Sequence, residues 1–231
     1  ILNKEQAHAS KNIHETLGKF QPTVLYGVTG SGKTEVYFDV IDSVLKSGGQ
    51  TLFLLPEIAL TKHLVKRFRQ RFGSRVATLH SGMSKKERVA TWIRCKKAEV
   101  GILLGTRSAV WLELPDLKLI VVDEEHDAAY KQQDGFRYSA RDIAIVRAQQ
   151  LGIPVVLGSA TPSFETLVNV ENKNFQITHL KSRPLALSKT KVETIDVRGL
   201  KLTGGLSESL IRHMREHLAK GQQVVLFLNR R

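Results

Sequence analysis

"LYGVTGSGKTEVY", Leu25 to Tyr37, crowds Gly27, Gly30 and Gly32 between an apolar run and a segment that reads as a helix. Glycine weakens strands and helices alike, so such crowding marks a place where the backbone must come close to something. The core of the stretch, GVTGSGKT, fits G-x-x-x-x-G-K-[ST] and lies between a strand and a helix, as that pattern requires. Its glycines let successive N–H groups converge on phosphate oxygens, and the helix that opens near Lys33 adds its positive end. The expectation is an ATP cradle built from Gly27, Thr29, Gly30, Ser31 and Gly32. In it Lys33 reaches the β- and γ-phosphates, and the Thr34 hydroxyl ligates Mg²⁺.

Outward from this loop, short Val-, Ile- and Leu-rich runs alternate with amphipathic segments. PTVLYG (22–27), TLFLLP (51–56), VATLH (76–80), VGILLG (100–105), LKLIVVD (117–123) and IPVVLGS (153–159) read as buried strands. Residues 33–47, 84–97 and 139–151 read as helices. In IALTKHLVKRFRQRF, Leu60, Leu64, Phe68 and Phe72 recur every fourth residue, with Lys62, Lys66 and Arg69 on another face. Alternation of this kind predicts an α/β fold: a mostly parallel sheet covered by helices on both faces. The pattern loosens after Phe175. Residues 181–190 read as a linker between a first lobe, 1–180, and a second unit beginning at 191. That unit has expected strands KVETIDV and QVVLFLN around a helix from Ser207 to Lys220.

The chain has 231 residues, 42% of them hydrophobic and 25% charged, an ordinary balance for a globular protein. It starts at Ile1 and stops at Arg231 just after an apolar run, and reads as a piece of something longer. No apolar run approaches a membrane span, and a cytoplasmic location is expected. Cys95 is the single cysteine, which fits a reducing compartment and leaves no multi-cysteine zinc site. The formal charge is +13, and residues 62–107 hold thirteen Lys or Arg against two acids, Glu87 and Glu99. Such a surplus favours a polyanionic partner, nucleic acid above all; a surface kept basic for solubility is the plainer alternative.

LIVVDEEHD supplies what a phosphate cradle needs next, a carboxylate at a strand end. Asp123 is placed to hold the Mg²⁺ shell, and Glu124 to orient or deprotonate the attacking water. Alone, the string also suits an acidic helix start. LLPEIALT (54–61), GTRSAV (105–110) and GSATPS (158–163) each follow a strand, at the edge where open α/β sheets bind ligands. Thr61, Thr106, Arg107 and Ser108 suit phosphate oxygens of a nucleic-acid strand, and ordinary turn or cap chemistry equally. HMREH (213–217) matches a zinc-hydrolase spacing, but solvated helix-face histidines account for it. A P-loop kinase of a small molecule shares the cradle; the basic 62–107 region argues against it.

Taken in order, these strings resemble the first RecA-like lobe of the superfamily 2 helicases: GVTGSGKT motif I, PEIALT motif Ia, GTRSAV motif Ib, DEEH motif II and GSATP motif III. DEEHDAAYKQQDGFRYSARD, with its aromatic-rich loop, resembles more narrowly the family of primosomal replication-restart helicases (PriA, primosomal protein N′), and LFLNRR resembles the start of that family's motif IV. The resemblance implies a DNA-dependent ATPase that unwinds 3′ to 5′ at forks, with single-strand-binding protein and other primosome proteins as partners. It implies that Gln6 reads the adenine, an exposed helical glutamine being the alternative. His126, with Ser159 and Thr161, would couple nucleotide to DNA. Pro56, Thr61, Thr106 and Arg107 would hold the strand. Tyr130, Phe136 and Tyr138 would stack on bases, with Lys131, Arg137 and Arg141 on phosphates; aromatics that merely pack the loop are the alternative. The family's second-lobe arginines and zinc-binding cysteines have no match here, so unwinding by this piece alone is not expected.

Overall fold

The computed structural model describes residues 2–182 and 191–227. They belong to two compact units, one within 1–187 and one within 188–231. The first contains α1 (Lys4–His14), β1 (Pro22–Gly27), α2 (Lys33–Lys46), β2 (Gln50–Leu54), α3 (Lys62–Phe72), β3 (Val76–Leu79), α4 (Lys85–Lys96), β4 (Ile102–Gly105) and β5 (Leu117–Asp123). A short hairpin follows, β6 (Lys131–Gln132) and β7 (Tyr138–Ser139), then α5 (Ala140–Leu151), β8 (Val155–Ser159), α6 (Phe164–Glu171) and β9 (Gln176–Leu180). Seven strands form one sheet in the order β3-β4-β2-β5-β8-β1-β9. Every neighbouring pair is parallel.

Alternation along the strands divides the core in two. Phe53, Leu119 and Val121 face a layer built by Ile13 of α1, Val36 and Ile41 of α2, and Phe68 and Phe72 of α3. Leu52, Leu54, Ile120 and Val122 face the opposite layer, with Ala140, Ala144 and Ala148 of α5. The small face of α5 lets that helix lie close to the sheet. On the other side Phe38, Phe53, Phe68 and Phe72 meet edge to face at 4.8–5.4 Å, a geometry that adds to their burial. Switching strand order around β1, β5 and β8 brings the C-terminal ends of these three strands together, where open α/β sheets bind ligands.

The expected parallel sheet and its helices are therefore present, with β9 added at one edge. The tail differs from expectation. Among the described residues, 191–197 and 222–227 form no strand, and only α7 (Glu208–Ala219), capped by Ser207, is regular. A strand takes its backbone bonds from a neighbour, and these two segments have none among the described residues. Most of the expected linker, 183–190, and Leu228–Arg231 lie outside the described residues.

Candidate nucleotide site and strand-binding face

Residues 28–35 wrap a cleft of about 490 Å³ closed on the far side by Asp123 and Glu124. Gly30 and Gly32 adopt φ of +79° and +87°, the left-handed region that turns successive amides to one side. A Cβ on Gly27 would meet the Ser31 hydroxyl at 2.5 Å, and one on Gly32 would collide with the Gln6 amide. No side chain caps the N terminus of α2, leaving its first N–H groups for an anion. The Ser31 hydroxyl is buried without a partner among the described residues. A buried orphan donor beside an uncapped helix fits a phosphate chain, as does Lys33, whose ammonium donates to the Gly27 carbonyl at 2.9 Å and stands 3.6 Å from the Glu124 carboxylate.

Asp123 ends β5 and is held from both sides. The Tyr37 hydroxyl donates to its Oδ1 at 2.9 Å, and the Tyr130 hydroxyl to its carbonyl at 2.6 Å. Burial pushes its carboxyl up to about 6, against the opposing bond from Tyr37; a cation beside it would restore the charged form. Glu124 has φ +48°, an uncommon conformation for a side chain of its size. It turns the chain so that consecutive carboxylates diverge: Glu124 to the cleft, Glu125 into the interior. Thr34 lines the same cleft, and with Asp123 supplies hard oxygen donors suited to Mg²⁺.

Gln6 is buried, contrary to an exposed helical glutamine. Its Nε2 donates to the Ser31 carbonyl at 3.1 Å, and its Oε1 accepts from the Asn3 amide in a capping box. That leaves one N–H and one lone pair of the amide for a base edge. His126 Nδ1 meets the Ser159 hydroxyl at 2.8 Å, and Ser159 accepts from the Thr161 amide at 2.9 Å. The three expected coupling residues thus form one chain, 3.7 Å from Glu124 at its His126 end.

Pro56, Ser81, Arg88, Thr106, Arg107 and Ser108 line a second cleft of about 270 Å³, together with Glu57, whose carboxylate accepts from the Ser81 hydroxyl. The Arg107 guanidinium donates to the carbonyls of Ala129 and Lys131, tying this cleft to the β6–β7 hairpin. Thr61 lies outside it: its hydroxyl caps α3 by accepting from the Leu64 amide. On the hairpin, Phe136 is 72% exposed, and Phe136, Tyr138 and Trp111 form a cluster with ring centroids 5.3–6.3 Å apart. Lys131 and Arg137 are exposed beside it.

Two expectations are corrected. Tyr130 is 2% exposed and serves Asp123 from below, so it is closed to bases. Arg141 is 8% exposed and donates to Glu125, Asp142 and Ser163, so it is closed to phosphates. Three residues escaped the sequence reading. Tyr37 aims Asp123. Trp111 completes the aromatic cluster. Glu125, in the interior, accepts from Arg141, the Ser163 amide and hydroxyl, and the Thr166 hydroxyl at 2.7–3.2 Å. The DEE run carried no sign that its third acid turns inward, and nothing in the sequence tied Tyr37 to Asp123.

A phosphate-binding loop, an acidic strand end and a hydroxyl-rich third loop on a parallel sheet define a P-loop nucleotide-binding lobe. Residues 3–170 match the family model described as DEAD/DEAH box helicase, and the chain belongs to that family. More particularly, it is similar to the replication restart protein PriA. It is 46% identical over 230 residues to that of Haemophilus influenzae, covering 100% of this chain and 31% of the relative, and 41% identical over 235 residues to that of Bacillus subtilis, covering 100% and 29%. The chain thus spans about a third of the length of these curated relatives. Among solved structures, RecG bound to a three-way DNA junction aligns with a TM-score of 0.60 at 17% identity, over 96% of this chain and 28% of that one. The Hef helicase domain of Pyrococcus furiosus gives 0.53 at 24%, over 76% and 37%. Both likenesses concern the fold alone.

Proposed function

We propose that this chain is the ATP-binding lobe, residues 1–180, of a DNA helicase of replication restart, followed by a linker at 181–190 and the opening of a second lobe. The observation that carries the reading is the meeting of Lys33, Asp123 and Glu124 around an uncapped helix and the orphan Ser31 hydroxyl. The amides of Gly27 to Thr34 bind the triphosphate. Lys33 exchanges the Gly27 carbonyl and Glu124 for β- and γ-oxygens. Mg²⁺, held by Thr34 and Asp123, would neutralise charge on those oxygens. Glu124, freed from Lys33, accepts a proton from the attacking water. Gln6 offers its remaining N–H and lone pair to the adenine.

His126, Ser159 and Thr161 link this chemistry to the strand-binding face. There Pro56, Thr106 and Arg107 hold backbone, Phe136 and Tyr138 stack on bases with Trp111, and Lys131 and Arg137 neutralise phosphates. Unwinding with 3′ to 5′ polarity at forks, single-strand-binding protein and primosome proteins as partners, and a cytoplasmic location rest on the similarity to PriA. No described helix is long and apolar enough to cross a membrane. The test is ATP turnover by the full-length protein with and without forked DNA. Lys33→Ala is expected to lower turnover by about 10²–10³-fold, the scale of losing one preorganised cationic donor, with the circular dichroism spectrum intact. Turnover at the wild-type rate in that variant overturns the reading.

A further inference from the structure

A cavity of about 800 Å³, separate from both clefts already described, lies between α3 and the edge strand β3. Leu60 and Val65 form its apolar lining, and Lys62, Lys66, Arg69 and His80 surround them. The three cations stand at helical spacing on the exposed face of α3, about 10 Å from first to last at 1.5 Å per residue. None of them pairs with a carboxylate among the described residues, and no acid lines the groove. Their neighbour Arg67 turns the other way, to Glu35 at 2.7 Å. Uncompensated like charges at successive helical turns oppose one another, so this arrangement calls for an anion with repeated charge.

The position of the groove says which anion. Leu55, Pro56 and Glu57 line the strand cleft, and Leu60 and Lys62, a few residues on, line the groove. His80 lines the groove, and Ser81, the next residue, lines the cleft. The two depressions share no lining residue but are neighbours along both segments that border them. We propose that the single nucleic-acid strand held at Pro56, Thr106 and Arg107 continues across the sheet edge into this groove, with Lys62, Lys66 and Arg69 each neutralising a phosphate. An unstacked base or sugar would cover Leu60 and Val65. The inference rests on the helicase reading and extends the strand path beyond the cleft.

The experiment measures binding of oligothymidylates of increasing length, and of a forked DNA, to the full-length protein across a salt series. Each single-strand phosphate contact contributes about 0.7 to the slope of log K against log salt. The wild-type slope is expected to steepen with length once the strand outgrows the cleft. The combined variant Lys62→Ala, Lys66→Ala, Arg69→Ala is expected to lose about 2 from the slope on long strands and nothing on the shortest that binds. Should the triple variant melt early, the single variants, each losing about 0.7, decide the matter. An unchanged slope on long strands overturns the proposal and leaves the groove to an anionic partner of another class. A loss confined to the duplex arm of the fork also overturns it, by moving the groove to double-stranded DNA. Wild-type protein that binds no DNA at all would instead defeat the helicase reading, so the two failures are distinct.

Discussion

Asp123 owes its aim to tyrosines at 37 and 130, one from the helix that follows the phosphate loop and one from the turn after its own strand. The first of these bonds supports the charged carboxylate against burial. Tyr37→Phe removes it without changing the shape of the core. The expected cost is about 1–3 kcal/mol in urea unfolding, the range for a buried hydrogen bond to a carboxylate, with a higher Mg²⁺ concentration needed for half-maximal ATP turnover. An unchanged Mg²⁺ requirement would mean that Tyr37 only packs. Cys95 provides a separate residue-level test. It is fully buried, and burial pushes its thiol up to about 11; burial likewise raises Tyr37 and Tyr130 well above 10. In all three the folded state holds its proton more tightly than the unfolded chain, so stability is full below about pH 9 and falls as pH rises. Urea midpoints between pH 8 and 11 should decline, and less steeply for Cys95→Ala.

Elements are joined where single residues serve two of them. Glu125 follows β5, receives Arg141 from the first turn of α5, and receives Ser163 and Thr166 from the start of α6. Its own amide donates to the Gly158 carbonyl at the end of β8. Because β7 runs directly into α5, the same pair anchors the stem of the aromatic hairpin. Arg141→Ala strands a buried carboxylate and should cost about 3–5 kcal/mol. Arg137→Ala, exposed on the same hairpin, should stay within about 0.5 kcal/mol yet weaken DNA binding. Urea unfolding and filter binding on the two variants separate these outcomes; equal costs would dissolve the distinction between anchor and contact. The sequence did not separate them, since an arginine and aromatics in a polar loop read alike whether buried or exposed. The central strands were legible because burial on both faces writes an unbroken Val, Ile and Leu run. β9, QITHL, escaped because an edge strand leaves Gln176 and His179 in solvent, and β6 and β7 because two residues make no pattern.

Across the whole molecule, fold and site depend on each other through charge left unsatisfied. The phosphate loop gathers the α2 N terminus, Lys33 and an orphan hydroxyl, while Asp123 and Glu124 press two carboxylates against the same space. Apart from Lys33–Glu124, these groups do not pair with one another, and this part of the sheet was readable from residue types alone. A ligand that binds only the folded state adds stability as the logarithm of its concentration, about 2.7 kcal/mol at a hundred times its dissociation constant. For a unit of this size each kcal/mol is worth about 2–4 °C. Saturating ADP with Mg²⁺ should therefore raise the melting temperature of the chain by about 5–10 °C. Lys33→Ala should lose most of that shift. Gly32→Ala should lose it too, since its Cβ would enter the Gln6 amide from a backbone at φ +87°, displacing both the loop and the residue proposed to read the adenine. Lys62→Ala, on the basic groove, should keep the shift in full. If all three variants gained as much from nucleotide as the parent chain, the ligand would be binding elsewhere, and the convergence of the glycine loop on the acidic strand end would have a structural cause alone.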